Sequence, residues 1–339
     1  MSAGPACPRL ISSSPHHLII IRMYVRNNLR FSIVRRLTWR GLLICVLYNL
    51  FICVLYGPFN VRYLDIPWQP VATLGTAVAF YIGFKSNGSY DRFWEGRRLW
   101  GSIVNVSRTW SIRVFHFVEP MAGDRLPDYE DLRDLHHRLL YRQIAWVNAL
   151  RLHLRRQTDE LWDTEVAPFL DPNEDADVRR MSNPPTHLLR QQSDELRQLH
   201  QRGLLTEFRH VALMDTIQDM FNAQGGCERI KNTPFPRQYA FYSFLFVWVF
   251  ALVLPLGLVG EFSKMGPGHI WLVVPFAVLV SSVFNTIELV GHTSENPFDN
   301  QMNDVPMTAI CRSIEIDLRE LLAETRLPAK IEPIDDVLF

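Results

Sequence analysis

Four stretches of this chain are almost free of charge, and they constrain it more than any other feature. They are residues 41–59, 68–84, 239–259 and 269–287. A helix that crosses a bilayer needs roughly 17–25 apolar residues, so each is long enough, the second only narrowly. Core helices of a large soluble protein would show a polar face every 3.6 residues. The first, third and fourth stretches show none. The sequence therefore predicts an all-α membrane protein with four transmembrane helices per subunit.

Charge orients the spans. Arg22, Arg26, Arg30, Arg35, Arg36 and Arg40 precede the first with no acid among them, and Lys85, Arg92, Arg97 and Arg98 follow the second. Basic flanks mark the cytoplasmic side, so both termini are expected in the cytoplasm and the spans in the cell (plasma) membrane. Residues 85–237, between the two membrane pairs, are too polar to span and too many to be a loop. Their helix-forming composition, broken at Asp171-Pro172 and Asn183-Pro184-Pro185, predicts a helical cytoplasmic domain whose last helix stops at Gly225-Gly226. Residues 1–22 are rich in Pro and Ser and too weakly apolar for a signal peptide, which predicts a disordered extension. Residues 326–339 read as a loosely held tail.

Chemistry is scarce. The chain balances 35 Lys+Arg against 35 Asp+Glu, whereas a dedicated nucleic-acid binder is strongly basic. The five cysteines lack CxxC spacing, and the eleven histidines contain no HExxH. No phosphate-binding glycine loop or nucleophile elbow is present. No enzyme, cofactor or metal site is expected.

The second stretch stands apart. Small residues (Ala72, Gly75, Ala77, Ala79, Gly83) surround Thr76, Phe80 and Phe84, which follow an i, i+4, i+8 stripe on one helical face. Such a face either packs tightly inside a bundle or lines a pore on a symmetry axis, where aromatic rings exclude water. Spacing alone leaves both readings open. A small secondary transporter is the alternative for the whole chain, although the two membrane pairs show no internal repeat.

The segment VAFYIGFKSNGSYDRFWEGRRLWG (residues 78–101) resembles the pore helix of bacterial bestrophins. IVRRLTWRG (33–41), GGCERIKNTPFP (225–236) and NPFDNQMNDVPMTAICRSIEIDL (296–318) match further bestrophin segments in the same order. The resemblance implies a homopentameric ion channel that passes chloride or other small monovalent ions through one axial pore. Its channel domain would span residues 23–325. It implies a membrane neck at Thr76, Phe80 and Phe84, where Thr76 departs from the expected apolar branched residue. It also implies a cytoplasmic constriction, placed by spacing near Leu188. Animal members carry consecutive acids after Asn-Pro-Phe that clasp calcium. Here only Asp299 and Asp304 are acidic in residues 299–304, so no strong calcium site is expected.

Overall fold

The fold is seen in a computed structural model, which describes residues 23–24, 31–119, 129–266, 268–301, 304–332 and 337–338. The expected N-terminal extension, residues 1–22, lies outside them. Among the described residues the chain forms ten α-helices: α1 (Phe31–Tyr56), α2 (Trp68–Phe117), α3 (Tyr129–Arg155), α4 (Thr158–Glu165), α5 (Pro172–Arg179), α6 (Pro184–Gln201), α7 (Glu207–Asn232), α8 (Arg237–Ser263), α9 (Val273–Thr293) and α10 (Met307–Leu321). A two-residue antiparallel pair joins β1 (Met23–Tyr24) to β2 (Val337–Leu338), so the C-terminal tail is tied back at its end.

The first apolar stretch folds as predicted and stops at Tyr56, just before Gly57-Pro58, since proline cannot extend a helix. The helix starts well before the apolar run, at Phe31. The third stretch becomes α8, which continues through Pro255 without a break. The fourth opens with a 3-10 turn, His269–Leu272, and continues as α9. Among the described residues three segments are long and apolar enough to cross a membrane: Thr38–Tyr56, Arg237–Ser263 and His269–Thr293. The second stretch does not reach that standard. Gln69, Thr73, Thr76 and the glycines dilute it, and it runs without interruption into the charged sequence to make one helix of 50 residues.

Two cores result. In the membrane bundle Val71, Val78 and Ile82 of α2 pack with Val247, Phe250 and Leu254 of α8 and Val273 and Ala277 of α9. The helical domain has a larger core in which Trp100, Trp110, Trp146 and Trp162 are fully buried. Leu42, Ile44, Leu47 and Phe51 of α1, and Phe276, Leu279 and Val283 of α9, are exposed apolar residues suited to hydrocarbon.

Asn183 caps α6, its side-chain oxygen accepting the Thr186 N–H at 3.2 Å, and Pro184-Pro185 occupy the first turn, where no N–H is needed. The sequence break at Asn183 is therefore a helix start. Gly225-Gly226 does not end a helix as expected; α7 runs on to Asn232. A Cβ on Gly226 would lie 2.7 Å from Leu99 Cδ2. That glycine serves the close approach of α7 to α2 and not a turn.

Candidate functional site

The two faces of α2 are built from different residue types. Val71, Gly75, Val78, Ile82, Lys85 and Ser89 are buried against the bundle. A Cβ on Gly75 would come within 2.8 Å of the Phe250 ring, and one on Gly257 within 2.8 Å of Val71. Glycine at both positions lets the Phe250 ring seat directly on the α2 backbone and the Val71 side chain directly on that of α8. This contact holds α2 at a fixed rotation about its own axis.

That rotation turns Thr76, Phe80 and Phe84 outward. Phe80 is 67% and Phe84 70% exposed, and Thr76 donates its hydroxyl to Ala72 O at 3.0 Å. The structure thus brings the three residues expected to line a neck onto one open face, and none belongs to a core within the chain. The stripe continues below them through exposed Asn87, Asp91, Trp94 and Arg98.

Leu188 is placed differently. It is fully buried in the core of the helical domain, on the α6 face formed with Leu189, Gln192, Leu196 and Leu199. A side chain inside the subunit core has no surface to offer a constriction, so the assignment drawn from spacing is corrected. Spacing to Glu195-Leu196 fixed a register along α6 but not a direction.

Sequence reasoning missed what lies on the opposite side of α2 from Phe84. Lys85 follows Phe84 and points the opposite way, and its side chain is 0% exposed. Its ammonium lies 2.8 Å from Glu288 Oε1 and 3.2 Å from Glu295 Oε1. His292 Nδ1 approaches Glu295 at 3.6 Å, and Arg92 donates to the Glu295 backbone carbonyl at 2.9 Å. Burial pushes the Glu295 carboxyl up, but His292 and Lys85 outweigh it and hold it below the usual carboxylate range. The available signal was Glu288, an acid in an otherwise apolar helix, which calls for a partner.

The segment after α9 carries the two acids considered for calcium. The Asp299 carboxylate is engaged by the Lys231 ammonium. Asp304 is only 3% exposed, and burial, partly offset by backbone N–H groups of Gln301 and Asn300, pushes its carboxyl up to about 6. A raised folded value means that the folded state holds a proton which the unfolded state has released. Stability therefore falls as pH rises from about 4 through about 6. We expect Asp304→Asn to remove this component and to stabilise the protein by about 3 kcal/mol at neutral pH. Thermal unfolding in detergent at several pH values tests it; parallel curves for the two proteins would refute it.

Comparison with known proteins agrees with this architecture. The family model described as "Bacterial/Fungal Bestrophin protein" matches residues 13–320. Voltage-dependent anion channel-forming protein YneE of Escherichia coli K12 is 32% identical over 264 residues, covering 78% of this chain and 80% of the relative. Its namesake in Salmonella typhi is 30% identical over 293 residues, covering 86% and 89%. The crystal structure of a bacterial bestrophin homologue from Klebsiella pneumoniae superposes with a TM-score of 0.74 at 25% identity, covering 84% of this chain and 98% of that one. With the ordered motifs, the helical architecture and the match along most of its length, the chain belongs to the bacterial and fungal bestrophin family.

Proposed function

We infer that the protein is an anion-conducting channel in which α2 helices from several copies line one axial path, narrowed by rings of Phe80 and Phe84. One observation carries this reading: an aromatic face of α2 is left open while the opposite face is clamped by glycine contacts. A single such helix cannot enclose a path, and a symmetric ring of copies can. The channel names of the relatives support the same function, and the motif resemblance supports a homopentamer. Rings of Phe make an apolar constriction that gates by excluding water, and Thr76 adds one wetter ring. The positively polarised ring edges favour anions when they face the axis.

In this reading α1, the first part of α2, α8 and α9 cross the bacterial inner membrane, and the helical domain and both termini lie in the cytoplasm. A helix lining water needs less apolar surface than one facing lipid, which accounts for the diluted second stretch.

The decisive test is a reversal potential in asymmetric potassium chloride after reconstitution. We expect it near the chloride equilibrium potential. A value near that of potassium would overturn the anion reading, and absence of current would overturn the channel. Native mass spectrometry should show five copies of the 39.4 kDa chain. Monomers or dimers alone would remove the axial pore.

A further inference from the structure

A cavity of about 500 Å3 opens between α1, α8 and α9. Its walls include Trp39, Leu42, Phe244, Val247, Trp248 and Leu289. The size lies in the range of roughly 300–1,000 Å3 common for ligand sites. We propose that this cavity seats an acyl chain of an anionic phospholipid, with the lipid phosphate held at Arg40.

The depth of the site fits a lipid. The lining residues come from residues 38–45 of α1, from residues 244–248 in the first half of α8 and from residues 282–289, nearly all in the second half of α9. Those halves of α8 and α9 lead to α7 and α10, so the cavity faces the leaflet bordering the helical domain.

The lining chemistry favours an apolar occupant. Thr286 on the cavity wall donates its hydroxyl to Ser282 O at 2.7 Å, and Asn285 donates to Ser281 O at 2.9 Å. The Ser282 hydroxyl likewise donates to Val278 O, and Glu288 is taken by Lys85. With these groups engaged inside the protein, the walls hold an acyl chain better than a polar solute.

Charge selects the headgroup. Six arginines and no acid occupy residues 22–40, and α8 begins at Arg237. Arg40 adjoins the cavity wall at Gly41, is exposed, and holds its guanidinium 5.6 Å from the Trp39 ring centroid. Basic residues beside a membrane attract anionic lipids, and a guanidinium binds phosphate through paired N–H groups.

A variant can fill the cavity without disturbing packing, because a Cβ on Gly41 would meet nothing within 4 Å. The experiment extracts wild type, Gly41→Trp, Gly41→Leu and Arg40→Gln into detergent. Each is supplied with phosphatidylglycerol or phosphatidylcholine, and retained lipid is counted by native mass spectrometry. Wild type should retain phosphatidylglycerol about tenfold more than phosphatidylcholine. Both Gly41 variants should lose bound lipid while unfolding as cooperatively as wild type, and Arg40→Gln should keep lipid but lose the preference.

Equal retention by wild type and both Gly41 variants would overturn the proposal, as would equal retention of the two lipids by wild type. Gly41 variants that break the assembly while retaining lipid would assign the groove to a second copy of the chain, which also overturns it. Lipid retention does not depend on ion passage, so this proposal and the channel reading fail separately.

Discussion

Phe80→Ala is expected to raise single-channel conductance about tenfold while leaving the assembly intact. The expectation follows from where the ring sits. Truncating a Phe inside a packed core costs about 3–5 kcal/mol, through lost burial and the cavity left behind. Phe80 is 67% exposed within its own chain, so the subunit has little packing to lose. If its ring faces the axis, the substitution removes one apolar obstacle per subunit at a single level of the path. Lowering the dewetting barrier by about 1.4 kcal/mol raises permeation tenfold. Bilayer recordings paired with sizing of the detergent-solubilised protein separate the alternatives. An intact oligomer with unchanged currents would return Phe80 to lipid or subunit packing.

The second large effect is expected on stability. Lys85→Met should destabilise the bundle by about 3–5 kcal/mol, because it strands Glu288 without its cation and leaves Glu295 with His292 alone. Removing one member of a buried ion pair costs far more than the pair contributes when whole. The double variant Lys85→Met with Glu288→Gln should recover part of the loss, since one stranded charge then disappears. Denaturant or thermal unfolding in detergent gives both values. A Lys85→Met protein as stable as wild type would mean that water reaches this cluster.

The legibility of the fold tracks the range of the interactions that decide it. The apolar stretches and the Thr76, Phe80, Phe84 face were readable because a helix places residues four apart on one side. The Lys85 cluster was not, since its partner Glu288 lies 203 residues away in sequence. Gly225-Gly226 read as a stop by local rules, yet its meaning is the Leu99 side chain on another helix. Leu188 was the reverse case. The stripe Leu188, Leu189, Leu196, Leu199 already carried a core pattern, and the spacing argument passed over it.

The length of α2 has a mechanical consequence. At about 1.5 Å per residue its 50 residues form a rod about 75 Å long, and its one proline, Pro70, falls in the first turn. A tilt of about 5° pivoting at Phe80 would swing the far end, about 55 Å away, through about 5 Å. The helix is therefore a lever with a short arm at the proposed neck and a long arm in the helical domain. A spectroscopic label at exposed Ile112 would magnify displacements at the neck too small to resolve directly. By the same leverage, a load that clamps the long arm would immobilise the aromatic rings from a distance.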